Sequence, residues 1–235
     1  MASSRRLIHA TCLAVLLHAG GCVASPLGSS AKAELPNDKV IQAFAGGAQA
    51  EFPGESKAGA VSLYDRIMDG FELGPQRLVL GDGSAIYWGA KYQEAFLQSV
   101  IISDATGKIR LLATVDNITA IARGSKPLAT SMEQYQEKLK KAERDGSSPL
   151  VSVFVRDERD LAGYMPYLKR FVQASLLGFN AHCDKSPGMA QACELAGQID
   201  IPLRLYALSG SKPVTHALSV PDVAAASVPL ESFRW

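Results

Sequence analysis

The 235-residue chain is poor in the side chains that catalysis and metal binding use most. It has four histidines and four cysteines, and aromatic residues make up 7% of it. Positive and negative charges nearly cancel, with 24 Lys and Arg against 23 Asp and Glu. Because nucleic-acid binding needs a basic surface, this balance predicts no nucleic-acid partner.

Motifs of familiar enzymes are also missing. The chain has no Gly-x-Ser-x-Gly nucleophile turn, no glycine loop for phosphate or a dinucleotide, and no His-Glu-x-x-His zinc motif. Outside the first two dozen residues only His182 and His216 are histidines, and neither has a metal-ligand spacing. We therefore expect no cofactor and no metal, and a familiar hydrolase is disfavoured.

The N-terminus has the three parts of an export signal. Arg5 and Arg6 supply a positive start, residues 7–19 form an apolar stretch interrupted by His9 and His18, and residues 19–21 are small. As a helix the apolar stretch spans roughly 20 Å, which is short of the ~30 Å hydrocarbon core of a bilayer. Residues 1–21 are therefore predicted to be a removable signal peptide.

The segment Ala19-Gly20-Gly21-Cys22 resembles the lipobox of bacterial lipoproteins. It has small residues at the two positions before the cysteine, and Ala19 stands where leucine is usual. The resemblance implies that Cys22 carries acyl chains (palmitate among them) that anchor the protein in the membrane. Val23 follows in place of the Asp that favours inner-membrane retention in this family, so the resemblance implies the outer membrane, facing the periplasm.

The sequence also allows two other outcomes for the N-terminal segment. Ordinary cleavage after Ala24 or Ala33 would give a periplasmic or secreted protein, and the segment would stay in place if it is not processed.

Cys183 and Cys193 remain once Cys12 leaves with the signal and Cys22 is assigned to lipid. In an oxidising compartment two cysteines make one pair, and closing so short a loop contributes roughly 3 kcal/mol. We predict a disulfide. Two unpaired buried thiols are an alternative, as is a zinc site with His182 that lacks a fourth ligand.

Composition divides the rest of the chain into three parts. Residues 22–59 are rich in Gly, Ala, Ser and Pro and are predicted to be a lipidated tether with one short helix at most. Residues 60–220 are predicted to form a single domain, and residues 221–235 an irregular tail.

Hydrophobic periodicity and turn residues predict an α+β fold with an antiparallel meander sheet and amphipathic helices packed on one face. Strands are expected at 77–80, 84–88, 98–103, 108–115, 150–155, 199–208 and 213–220, and helices at 60–71, 130–143 and 157–177.

Two local clusters are candidate sites. Tyr87, Trp88 and Tyr92 surround Gly89 and are a candidate ligand platform, with packing in the core or on the sheet as the alternative. The run Asp157-Glu158-Arg159-Asp160 holds three carboxylates that could bind a cation, although at a helix start they simply offset the helix dipole.

Residues 77–116 carry a second resemblance. Their Gly81-Asp82-Gly83 turn, the Tyr87-Trp88-Gly89-Ala90 strand and the Val100-Ile101-Ile102 strand with Asp104 and Gly107 are similar to the strand-turn pattern of periplasmic inhibitors of vertebrate-type lysozyme. That family has a cysteine pair flanking the next loop, where this chain has Ala90 and Ala95. No binding residue is carried over.

These observations predict an exported, lipid-anchored envelope protein that binds or scaffolds rather than catalyses. Its expected partners are the membrane, through the N-terminal lipid, and an envelope protein. The alternatives are a lysozyme-inhibitor-like protein and an envelope hydrolase, and the hydrolase requires His182 or His216 in a cleft with a carboxylate and a hydroxyl.

Overall fold

A six-stranded sheet forms the centre of the computed structural model, which describes residues 33–53, 59–91, 97–209 and 218–235. The strands of the chain are β1 (Gln49–Ala50), β2 (Val61–Ser62), β3 (Gln76–Val79), β4 (Ala85–Ala90), β5 (Leu97–Ser103), β6 (Ile109–Asp116), β7 (Ala122–Arg123), β8 (Lys126–Pro127), β9 (Leu150–Val155) and β10 (Leu203–Ala207).

Among the described residues, five α-helices and one short 3-10 turn accompany the sheet, so the predicted α+β class is confirmed. They are α1 (Asp38–Ala45), α2 (Leu63–Asp69), α3 (Met132–Arg144), α4 (Arg159–Leu176), α5 (Pro187–Gln198) and the 3-10 turn at Leu230–Ser232.

The large sheet has the strand order β10-β9-β6-β5-β4-β3. Strands β3 to β6 form the predicted antiparallel meander, and β9 pairs antiparallel with β6. Strand β10 instead runs parallel to β9, which makes the sheet mixed. A parallel pair needs a long crossover connection, and α4 and α5 provide it.

Helices cover both faces of the sheet, whereas the sequence predicted helices on one face. On the α4 face, Ile86, Trp88 and Val153 pack with residues of α4 and α5. On the α2 face, Leu112 and Phe154 pack with residues of α1 and α2. Strands β4, β5 and β9 are buried at every position, as is usual for a sheet covered on both sides.

The layer of helices on the α2 face was not predicted, because α1 lies in the stretch predicted to be a tether. Ile41 of α1 is fully buried in the α2 face. Arg156, just after β9, donates hydrogen bonds to the carbonyl oxygens of Phe44 (2.8 Å) and Ala43 (3.0 Å) near the end of α1. These contacts attach α1 to the sheet, so the folded body extends to α1 and begins before residue 60.

Glycine allows α2 to approach the sheet closely. A Cβ on Gly89 of β4 would lie 2.6 Å from the carbonyl oxygen of Gly70, which ends α2. A Cβ on Gly70 would lie 2.1 Å from the Ser99 hydroxyl oxygen on β5. Both distances are too short for a real side chain, and α2 would have to move outward to admit one.

Helix α5 occupies most of the segment between the two cysteines, where no helix was predicted. Ser186 caps it, accepting a hydrogen bond from the Met189 N–H at 3.2 Å, and Pro187 is its first residue. The strand predicted at 213–220 lies mostly outside the described residues. No described helix is long and apolar enough to cross a membrane.

Candidate functional site

The candidate aromatic platform does not form a single surface. Tyr87 and Trp88 are neighbours in β4, and successive side chains of a strand point to opposite faces. Tyr87 is therefore buried in the α2 face and Trp88 in the α4 face, where 1% of Trp88 is exposed. Tyr92 lies outside the described residues. The two described rings belong to the core and form no shared ligand platform.

The predicted disulfide between Cys183 and Cys193 is confirmed, with a Cα–Cα distance of 5.9 Å. It joins the loop after α4 to the middle of α5. His182, beside the bond, is exposed, and no described hydrogen bond or ion pair involves its ring. Cys22 and His216 lie outside the described residues, so the lipid attachment remains a prediction.

Two of the three carboxylates near the start of α4 form ion pairs with arginines. Asp157 pairs with Arg159 at 2.6 Å, and Asp160 lies 3.6 Å from Arg110. Arg110 also contacts Asp104 in the β5–β6 turn at 2.8 Å. Within the described chain, no group of three His, Cys, Asp or Glu residues is arranged to hold a metal ion.

The hydrogen bonds of this cluster stabilise the charged form of its turn carboxylate. Burial of the Asp104 carboxyl raises its pKa, but hydrogen bonds from Thr106, Arg110 and Lys108 outweigh that effect and bring the pKa to about 2. Burial raises the pKa of Asp160, with Arg110 acting in the opposite direction. Arg110 thus ties the turn to α4 in a structural ion-pair network.

A second charged group is buried in the α2 face. Arg66 of α2 forms an ion pair with Asp116 at the end of β6, and 6% and 2% of these residues are exposed. The Thr114 hydroxyl donates to the other carboxylate oxygen of Asp116 at 3.0 Å. The Arg66 guanidinium lies over the Phe52 ring, 5.1 Å from its centroid. These contacts fasten α2 to the sheet.

The predicted tail at 221–235 lacks regular structure apart from its 3-10 turn, yet it is packed along α4, and we call it the strap. The Ala226 N–H donates to the Pro166 carbonyl oxygen of α4 at 2.9 Å. Phe233 is fully buried, with its ring 5.4 Å from that of Trp88. The strap therefore completes the core on the α4 face.

A groove runs between the strap, α4 and the segment that enters β10, and we call it the strap groove. Its inner part is a cavity of about 160 Å³, and its outer part is an open hollow. Both parts are lined by Gln173, Gly197 and Ala225. The inner part has an apolar wall whose members keep some exposed surface: Val172, Ile201, Leu203 and Val223. Val151, Met165 and Leu168 also border it but are almost fully buried.

Two cations lie along the strap groove. Lys169 lines the inner part, and its Nζ donates to the Val223 carbonyl oxygen at 2.8 Å. Arg170 lines the outer part, where its Nε donates to the Val228 carbonyl oxygen and its Nη1 to Gln173 Oε1 at 2.9 Å. Both side chains are half-buried. Burial lowers the pKa of the Arg170 guanidinium.

Sequence patterns did not indicate the strap groove. The cations that hold the strap bind backbone carbonyl oxygens. Every residue has such an oxygen, so the sequence does not indicate which residues these cations bind. The one available signal was the adjacent Lys169 and Arg170 in an otherwise broad apolar stripe of α4.

No protein family, curated protein or solved structure matches the chain.

Proposed function

We propose that this is an exported envelope protein, anchored by lipid on Cys22, whose folded body binds a small molecule in the strap groove without transforming it. The observation that carries the binding role is the groove itself. Small-molecule sites are typically concave, with apolar walls and a few polar groups that orient the ligand. The inner cavity combines an apolar wall with the Lys169 ammonium and Gln173.

The proposed location is supported by the signal-like N-terminus and by the disulfide. Structural disulfides persist in oxidising compartments such as the bacterial periplasm. The bond between Cys183 and Cys193 is consistent with a body that faces this compartment. The lipobox-like segment at Cys22 adds the anchor.

The anchor is tested by replacing Cys22 in the full chain expressed in a bacterial host. We expect Cys22→Ala to lose the acyl mass and to leave the membrane fraction, because the lipid is its attachment. Cys12→Ala is the matched control, since this cysteine lies within the signal, and it should keep both the lipid and the membrane location. A Cys22→Ala protein that stays in the membrane with unchanged mass would contradict the anchor.

The binding role is tested with 1-hexanol, a neutral chain that suits a small apolar cavity. We expect shifts in the amide NMR signals of the strap residues Val223–Ala225 when hexanol is added to the full-length protein. Gly197 lines both parts of the groove, and a Cβ placed on it meets nothing within 4 Å, so Gly197→Trp should fill the groove and abolish the shifts.

Gly163 provides the matched control for this variant. It is an exposed helical glycine of α4, also with nothing within 4 Å of an added Cβ, and it does not line the groove. Gly163→Trp should bind hexanol like the unaltered protein. Binding that survives Gly197→Trp would place the site elsewhere and overturn the proposal.

A further inference from the structure

The charges along the strap groove are unbalanced. Lys169 and Arg170 are consecutive and half-buried, and neither makes an ion pair with a described carboxylate. Glu231 acts on Arg170 through its charge alone, which raises the arginine pKa against the larger, opposite effect of burial. A partly buried cation without a counter-charge is a costly arrangement, which an anion in the groove would relieve.

The Lys169 ammonium retains donor capacity towards the cavity. A lysine ammonium has three N–H donors. Within the described chain, the Lys169 Nζ makes one hydrogen bond, to the Val223 carbonyl oxygen. The remaining donors suit a carboxylate, because hydrogen bonds between two charged groups are shorter and stronger than neutral ones.

Asp200 is the opposing charge in the inner part of the groove. It is the one carboxylate among the described residues that line this cavity, and it is exposed to solvent. Water screens an exposed charge far more than a half-buried one. The field inside the groove is therefore set mainly by Lys169 and Arg170.

The size of the cavity limits the apolar part of a ligand. A cavity of about 150 Å³ in another protein holds a benzene molecule. The inner part of the strap groove, at about 160 Å³, therefore has room for a chain of about six carbon atoms. A longer chain would have to continue into the outer hollow, past Gln173 and Gly197.

We propose that the strap groove selects a short amphipathic anion, with its hydrocarbon chain against Val172, Leu203 and Val223 and its carboxylate on Lys169. This inference rests on the proposed binding function and names the chemical class of the ligand. The carboxylate oxygens replace water as acceptors for the ammonium, and the chain replaces water against the apolar wall.

Three probes of equal length test the selection on the full-length protein: hexanoate, 1-hexanol and hexylammonium. We expect hexanoate to bind at least tenfold more tightly than hexanol in NMR titrations, and hexylammonium to bind more weakly than either. Gly197→Trp should abolish binding of all three, while Gly163→Trp should leave each dissociation constant within twofold.

Variants of Lys169 assign the preference to its charge. Lys169→Met keeps the length of the side chain but removes the ammonium, so hexanoate should bind no better than hexanol. Lys169→Arg keeps both the charge and a donor for Val223, so it should retain the preference. Hexanol should bind Lys169→Met as it binds the unaltered protein, which would show that the groove is intact without the Val223 hydrogen bond. Lys185→Met, at an exposed lysine beside the disulfide, is the control and should change nothing.

The outcomes separate this inference from the proposed function. If hexanol binds as well as hexanoate and Gly197→Trp abolishes both, the groove is a binding site but the anion selection is refuted. If no probe binds, both are refuted. If hexanoate binds but Lys169→Met retains the tenfold preference, the carboxylate lies on another cation and the assignment to Lys169 is wrong.

Discussion

Asp116 is a charged residue buried on the otherwise apolar α2 face of the sheet. It lies at the end of β6, accepts a hydrogen bond from Thr114 and pairs with Arg66 of α2. Taking charges out of water is costly, so such a pair adds little net stability over an apolar pair of the same shape. Removing one charge of a buried pair is expensive, because the attraction that offsets the desolvation of the other charge is then lost.

We predict that Asp116→Asn destabilises the protein by about 3–5 kcal/mol, because it removes the negative charge that faces the buried Arg66 guanidinium. The measurement is urea unfolding followed by circular dichroism, in which the midpoint should fall at constant slope. Glu137→Gln is the matched control: it breaks the exposed pair with Lys140 and should cost less than about 1 kcal/mol. Equal losses in both variants would show that Asp116 does not anchor α2.

Single residues also explain why the predicted aromatic platform fails. Adjacent aromatic residues suggest a shared surface, but strand geometry sends Tyr87 and Trp88 to opposite faces. The sequence predicted β4 correctly, and the sheet turned out to be covered on both faces. With both faces covered, the two rings are buried and unavailable to a ligand.

At the scale of elements, the strap has little regular structure, and two of its residues are buried in the core. Leu230 and Phe233 are buried, and Phe233 contacts Trp88 and Phe171 through its ring. Trp235, two residues further on, is 41% exposed and packs edge-on against Phe179. The contribution of the strap to stability should therefore come mainly from Phe233.

We predict that Phe233→Ala costs about 3–5 kcal/mol, because it opens a cavity among large buried rings. Trp235→Ala removes a larger but exposed side chain, and it should cost less than about 1.5 kcal/mol. Denaturant unfolding of both variants provides the measurement. If Trp235→Ala proves the more damaging, the strap is held by its last residue and the core contact of Phe233 is secondary.

Elements were predictable where a pattern was strong and local. The valine-rich strand β9 has its predicted bounds, and the meander and α4 agree to within about two residues. Helix α5 was missed because its Gly and Ala content gives only a weak apolar stripe. Helix α1 was missed as part of the body because the sequence near it gives no sign of its distant partners, such as Arg156, which lies more than 100 residues away.

At the scale of the whole molecule, one covalent bond supports the non-covalent core. The disulfide joins two cysteines separated by 10 positions and holds the middle of α5 against the loop that follows α4. Helix α5 ends at Gln198, next to Gly197 and the strap groove. The bond therefore stabilises both the fold and one wall of the groove.

We predict that Cys183→Ser combined with Cys193→Ser lowers stability by about 3 kcal/mol, because the cross-link no longer restricts the unfolded chain. Thermal unfolding with and without a thiol reductant is the measurement. The reductant should lower the melting temperature of the unaltered protein to that of the double variant and leave the variant unchanged. A protein that melts at the same temperature under both conditions would contradict a structural role for the bond.

The position of Phe233 also dictates when the fold can be completed. A ribosome makes Trp88 long before Phe233, and the two rings meet in the same cluster on the α4 face. The cluster cannot be complete until residue 233 has left the ribosome. The docking of Phe233 is therefore a late step in the folding of the body, and the early-made strands wait for a ring that is synthesised long after them.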